Sequence, residues 1–408
     1  MRVHLVGTYP PMRCGIAEYT YELARALASR GLTVGVIAID EGFVDYMAYP
    51  EEVELILRRD DLSSYQLAAE YVNRTGSDLV CVQHEYGIFG GRWGWYILEF
   101  MEAVDCPLVT TLHTVLPNPD KHLKKVTEAL VELSDAVTVM SHSAYKVLSE
   151  YYDVDLHKIR VIPHGVVGSL PNLSRKRLRK ELGVTDNFVL LTIGLLGPNK
   201  GVEYAIMAMP RIVEHIHNAL YLVVGETHPK IRALYGEKYR VMLMRLTREL
   251  GLEDHVRFIN HFLTKEDYIR YIVASDVVLL PYLDRNQVSS GALSYAFSYG
   301  RVIVSTPFLY AEELLSEGRG ILCRFKDPDS IADSVIKVAK DPYLRASIEA
   351  NVARHSAYLR WDVVVSRLIS LFTGLIAREH GCEKSELRIA DITLLEELPR
   401  RTLRKTMV

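Results

Sequence analysis

Leu191–Gly201 reads LTIGLLGPNKG, and Val288–Pro307 reads VSSGALSYAFSYGRVIVSTP. The first stretch is an apolar strand that runs into a Gly-Pro-Asn-Lys-Gly turn and opens a helix. The second begins a small-residue helix at Ser289, Ser290 and Gly291 and ends in a buried strand. Helix starts carry unpaired N–H donors and a partial positive charge, so two such elements in one sheet offer backbone donors to a diphosphate, and Lys200 adds an ammonium. That combination points to a nucleotide-sugar enzyme rather than to a generic α/β protein.

Working outward, strand-like runs alternate with helical patterns along the chain. Before residue 163 the apolar runs are 3–6, 34–39, 79–82, 108–112, 136–140 and 159–162, with helices near 16–28, 64–72, 93–104, 121–133 and 144–152. A second series of runs follows at 189–193, 220–224, 256–259, 277–280, 302–305 and 320–323. The runs are rich in Val, Ile and Leu rather than strict period-2 alternations, which predicts parallel, doubly wound sheets. The expected fold class is therefore α/β, with two Rossmann-like domains, 1–166 and 167–356, facing a cleft. Residues 167–180 are polar and basic and read as a linker. A helix at 357–378 is expected to return to the first domain, and 379–408 reads as a polar, basic tail carrying Arg400, Arg401, Arg404 and Lys405.

A chain of 408 residues exceeds one comfortable core, which agrees with two domains. Its formal net charge of -3 gives no polyanion-binding signal, so nucleic acid is not an expected partner. Cys14, Cys81, Cys106, Cys323 and Cys382 show no CxxC or ligand spacing and read as reduced thiols in a cytoplasmic protein. The opening MRVHLVGTYPP does not resemble a signal peptide, and no apolar run reaches membrane-spanning length. A peripheral membrane contact through the basic tail stays open, with a solvated tail preferred. No His/Cys ligand cluster suggests a metal, and none is expected.

Four loops hold the candidate site residues. Residues 7–15, GTYPPMRCG, lead from a strand to Gly15 at a helix start, without the GxGxxG dinucleotide fingerprint. In residues 82–91, VQHEYGIFGG, His84 and Glu85 follow a strand, and they suit either an acceptor's hydroxyls or a structural role. His113 stands just past the run 108–112, where a histidine can meet a sugar hydroxyl. Lys200, set between Gly197, Pro198 and Gly201, is placed to stabilise a departing diphosphate.

In their order, GTYPPMRCGIAEYT, TLHTVLP, VIPHGV, GLLGPNKG, YAFSYGRVIVSTP and EELLSEGRG resemble the retaining glycosyltransferases of family 4, which have the GT-B architecture. The resemblance runs from about Val3 to Ala377. It implies a nucleotide diphosphate-sugar donor held mainly by the second domain and an acceptor held mainly by the first. It assigns catalytic roles to His113 and Lys200. The donor would meet Gly15, Gly197, Asn199, Lys200, Gln287 and Ser289, together with Ser290, Gly291 and Tyr295. His84 and Glu85 would face the acceptor.

Two departures stand out against that pattern. Leu195 occupies a place where family members commonly carry arginine, and Gln287 and Tyr295 occupy the places of two glutamates. Arg13 is a candidate replacement for the missing cation. The expected reaction is retaining transfer of a hexosyl unit, mannosyl or glucosyl, from a GDP- or UDP-hexose to a carbohydrate or lipid-linked hydroxyl. No cofactor is expected, and no carboxylate pair announces a double-displacement nucleophile. The competing readings are a degenerate GT-B protein that binds a sugar nucleotide or glycan without turnover, and another GT-B enzyme such as a phosphorylase or an epimerase using Glu226 as base. The loop 260–264 is the expected reader of the donor base.

Overall fold

The computed structural model describes residues 1–42, 48–168 and 174–379. Its first sheet holds β1 (Arg2–Gly7), β2 (Thr33–Asp40), β3 (Val53–Arg58), β4 (Leu79–His84), β5 (Leu108–Leu112), β6 (Ala136–Val139) and β7 (Ile159–Val161). The second holds β8 (Phe188–Ile193), β9 (Ala219–Val224), β10 (Val256–Ile259), β11 (Val277–Leu280), β12 (Val302–Ser305) and β13 (Ile321–Leu322). The strand orders are β3-β2-β1-β4-β5-β6-β7 and β10-β9-β8-β11-β12-β13. All pairings within them are parallel.

Chain order reverses between β1 and β4 in one sheet and between β8 and β11 in the other. Loops leaving the carboxyl ends of strands at such reversals form the crevice of doubly wound sheets. That rule brings the loops after β1, β4, β5, β8 and β11 to one cleft. The sheets are dominated by apolar side chains driven from water, and β4, β5, β9, β11 and β12 are buried at every position.

Among the elements that differ from the sequence expectation, three bear on the architecture. β3, with sequence VELILR, was not anticipated, since it is a half-buried edge strand without a continuous apolar run. The helix expected near 93–104 divides into a short turn, Arg92–Gly94, and a helix, Ile97–Ala103, because Trp93 adopts a φ of 58°. The stretch 167–180 is not a simple linker, for the helix Arg175–Glu181 begins within it. Arg175 and Arg179 of that helix grip the Asp276 carboxylate at 2.6 and 3.0 Å, and Asp276 also accepts the Val189 N–H at 2.8 Å. A basic run thus becomes the clamp that fixes the entry of β8.

The last described element, the helix Trp361–Glu379, crosses back to the first sheet. Its Val364, Val365, Leu368 and Phe372 share one apolar cluster with Val3, Leu5, Tyr9 and Leu23. Burying each such side chain stabilises the fold by about 1.5–3 kcal/mol. Val166 donates to the Leu359 carbonyl at 2.8 Å, and Trp361 donates back to Val166 at 3.0 Å, which seats the crossing. The basic tail residues and Cys382 lie outside the described residues. Among the described residues, no helix is long and apolar enough to cross a membrane.

Candidate active site

A cavity of about 900 Å³ opens between the two sheets. Gly15, Glu85, His113, Gly197, Asn199 and Lys200 line it, as do Gln287, Ser289, Ser290, Gly291 and Tyr295. These residues come from the loops that the strand order brings together.

The helix Gly15–Ala28 starts on one wall, capped by Cys14, whose sulfur accepts the Ala17 N–H at 3.4 Å. A Cβ on Gly15 would meet nothing within 4 Å, so the backbone there stays open to the cavity. Across the cleft, the turn Pro198–Lys200 ends at Gly201, where φ is 61° and a Cβ would stand 2.1 Å from the Pro281 carbonyl. Only glycine fits that approach, which seats the turn against the end of β11. The Lys200 Nζ lies 3.9 Å from the Tyr282 ring centroid, a cation–π contact that leaves the ammonium without a carboxylate partner among the described residues.

The loop after β11 is tied to the first domain. Ser289 donates to the His113 carbonyl at 2.8 Å, and Ser141 donates to the Val288 carbonyl at 2.8 Å. The Gln287 amide donates to the Ser289 carbonyl at 2.7 Å, so that side chain shapes the loop. Ser290 then caps the helix Gly291–Ser298 by accepting the Leu293 N–H at 3.3 Å. The next two residues, Gly291 and Ala292, both line the cavity.

His113 is nearly fully buried, with its edge on Tyr19 at 4.8 Å. Its Nε2–H donates to the Gln83 side-chain oxygen at 3.0 Å, leaving Nδ1 as an acceptor. Burial, with smaller effects from His164 and His84, pushes its pKa down to about 3, so the imidazole is neutral near pH 7. Burial pushes the Glu85 carboxyl up, although the Thr114 hydroxyl bonded to it works against that rise.

His84 corrects the sequence expectation. It does not line the cavity: it is wholly buried, stacked on Phe89 at 5.6 Å, and neither ring nitrogen has a hydrogen-bond partner among the described residues. An acceptor in the cavity therefore cannot reach it. Arg13 also departs from its expected role, because its guanidinium pairs with Glu226 at 3.1 Å and lies over Phe262. Glu226 is held from a second side by Arg232 at 3.5 Å, so the carboxylate suggested as an epimerase base is already engaged by two cations.

Tyr295 lines the cavity but spends its hydroxyl elsewhere. It donates to both Glu22 carboxylate oxygens, at 2.7 and 2.6 Å. The same carboxylate accepts the Trp361 indole N–H at 2.8 Å and pairs with Lys265 at 2.7 Å. Sequence reasoning missed Glu22 and Lys265, which carry no local motif. It also missed His164, although VIPHGV marked its position, and Lys230, which joins the domains by pairing with Glu41 at 2.8 Å. Among the described residues, no group of three His, Cys, Asp or Glu side chains is arranged to hold a metal ion.

Residues 14–167 match the family model described as Glycosyltransferase Family 4, and residues 174–355 match the one described as Glycosyl transferases group 1. The chain belongs to glycosyltransferase family 4. This glycosyltransferase has the GT-B fold and draws on a nucleotide-sugar donor. It is 23% identical to the D-inositol 3-phosphate glycosyltransferase of Thermomonospora curvata, over 88% of this chain and 90% of the relative. A Corynebacterium glutamicum enzyme, GDP-mannose-dependent monoacylated alpha-(1-6)-phosphatidylinositol monomannoside mannosyltransferase, is 26% identical over 47% of this chain and 49% of its own length. Among solved structures, Anabaena HepE in complex with UDP superposes with a TM-score of 0.72 at 19% identity, covering 92% of this chain and 100% of that one. Sucrose-phosphate synthase from Thermosynechococcus elongatus gives 0.75 at 18% identity, covering 92% and 99%.

Proposed function

We propose that the enzyme transfers a hexosyl group, mannosyl or glucosyl, from a GDP- or UDP-hexose to a hydroxyl of a carbohydrate or lipid-linked acceptor, with retention of anomeric configuration. The observation that carries this reading is the Lys200 ammonium, unpaired with any carboxylate among the described residues and facing the cavity that Gly291 also lines. An anion there meets an ammonium and a helix N-terminus together. As a glycosidic bond to a diphosphate breaks, negative charge grows on the leaving oxygens, and fixed positive charge at that place lowers the barrier.

The remaining roles follow from the chemistry of each group. Neutral His113 presents its Nδ1 lone pair to a hydroxyl of the transferred sugar. Glu85, beside Thr114, faces the acceptor. The leaving phosphate oxygen takes the acceptor's proton on the same face of the sugar, so that no enzyme carboxylate forms a covalent intermediate. In this reading Lys200 and the Gly291 helix start supply the charge, without a metal. The GDP-mannose-dependent relative supports mannose as the first sugar to try.

Leu195 in the cavity wall and the engaged hydroxyl of Tyr295 favour a second reading, a protein that binds a sugar nucleotide without turnover. Calorimetric titration with GDP, UDP, ADP and dTDP, followed by NMR of the products formed from the matching sugar nucleotide, tests both. Binding with transfer and a retained anomeric signal supports the enzyme, and binding without turnover of any hexose supports the second reading. Failure of all four nucleotides to bind the folded protein refutes both.

A further inference from the structure

His164 stands in the cavity wall beside His113, both rings meeting Tyr19 edge-on, at 5.0 and 4.8 Å. Its Nδ1 lies 2.7 Å from the Gly165 carbonyl oxygen. A carbonyl only accepts, so Nδ1 must carry the proton, and in the neutral ring Nε2 is then a bare lone pair. Burial also pushes the ring's pKa down, which keeps it neutral. Nε2 points at the start of the Gly291 helix and would lie 3.5 Å from a Cβ on that residue. Glycine there leaves the space in front of the lone pair empty, and no donor among the described residues fills it.

The chemistry of that spot is selective. Phosphate oxygens are acceptors, so they pair with the helix N–H groups but are repelled by an imidazole lone pair beside them. What fits is a hydrogen-bond donor attached to a phosphate. In a nucleotide sugar, the group adjoining the diphosphate opposite the nucleoside is a hexose bearing hydroxyls.

We propose that His164 is a second sugar-binding residue, whose Nε2 accepts a hydrogen bond from a hydroxyl of the donor's hexosyl group. The inference rests on the donor reading given above and adds to it a residue that selects the sugar. His113 and His164 then hold the hexose from two neighbouring points of one wall, and both act as acceptors.

The test compares wild type, His164→Phe and His164→Gln by calorimetry with UDP, GDP, UDP-glucose and GDP-mannose. Phenylalanine keeps the ring against Tyr19 and removes the lone pair, whereas glutamine restores an acceptor oxygen at similar reach. His164→Phe should bind the nucleoside diphosphate as wild type does and the corresponding sugar nucleotide about three- to tenfold more weakly, the worth of one hydrogen bond. His164→Gln should recover part of that loss. Thermal melting monitors folding, and His164→Asn, too short to reach the hexose, replaces the phenylalanine variant if that one does not fold. Equal weakening of diphosphate and sugar nucleotide would assign the residue to the nucleoside or to the cavity's architecture, and unchanged binding would assign it no contact. Either result overturns the proposal while leaving the donor reading standing. Absence of sugar-nucleotide binding by wild type overturns the donor reading itself, and this proposal with it.

Discussion

Glu22→Ala removes a carboxylate on which three groups converge. The Tyr295 hydroxyl and the Trp361 indole N–H are each buried and each bonded to it, and the Lys265 ammonium pairs with it at 2.7 Å. Truncation strands the hydroxyl and the indole N–H, and leaves Lys265 with Glu18 alone, at 3.4 Å. An orphaned buried donor costs about 1–3 kcal/mol, and breaking a buried ion pair from one side costs about 3–5 kcal/mol. These overlap rather than add, so the expected loss is about 4 kcal/mol. For a domain of this size that lowers the melting midpoint by roughly 10 °C. Glu22→Gln keeps an acceptor oxygen and should lose less than half as much. Circular dichroism melts of both variants, with a double-mutant cycle through Tyr295→Phe, measure the effect. A melt of Glu22→Ala within about 1 °C of wild type, or strict additivity in the cycle, would refute the claim that this carboxylate joins the two domains to the closing helix.

Other expectations concern charge. Lys200→Ala should cut kcat/KM at least about tenfold without altering the circular dichroism spectrum, and wild-type turnover would remove the residue from the site. Tyr295→Glu sets a second carboxylate against Glu22, and two like charges so close raise the pKa of the pair. Stability should therefore be lower at pH 8 and recover as pH falls towards 5, and equal melting midpoints at both pH values would count against it. The folded pKa values of His84 and His113 are pushed down to about 3, from 6.5 in the unfolded chain. Below pH 6.5 the unfolded state takes up protons that the folded state refuses, so stability falls with pH by up to about 1.4 kcal/mol per unit for each group. His84→Phe should reduce that dependence by about one proton between pH 6 and 4.5, and urea titrations at several pH values will show an unchanged slope if the reasoning is wrong.

Much of the scaffold is legible in the sequence because buried parallel strands leave a plain signature. β4, β5, β8, β9, β11 and β12 are mainly apolar runs bounded by loops, and each was expected near its observed place. β3 escaped because an edge strand with one wet face needs no such run. The basic stretch that became the helix Arg175–Glu181 takes its stability from Asp276, far along the chain, and no local pattern announces that partner.

The site divides in the same way. Glycines and Lys200 in the turn after β8 could be placed because turn chemistry is local. His84 could not, since successive side chains at a strand end point to opposite faces and one position decides between cleft and core. Gln83 meets His113 while His84 packs on Phe89. Glu22 looks like an ordinary solvent-facing glutamate of an amphipathic helix. Its partners Tyr295 and Trp361 lie 273 and 339 residues further along the chain, and only the assembled fold brings them together.

The returning helix Trp361–Glu379 also fixes an order of events during synthesis. Synthesis makes β1 long before this helix, yet the apolar face around Val3 and Leu5 is sealed by Val364, Leu368 and Phe372. The second sheet, complete at β13, is made entirely before those residues emerge. The domain translated first is thus finished last, and its open face is exposed to aggregation throughout the interval. A chain cut short before Trp361 would spoil its own beginning while leaving the second sheet's strands intact.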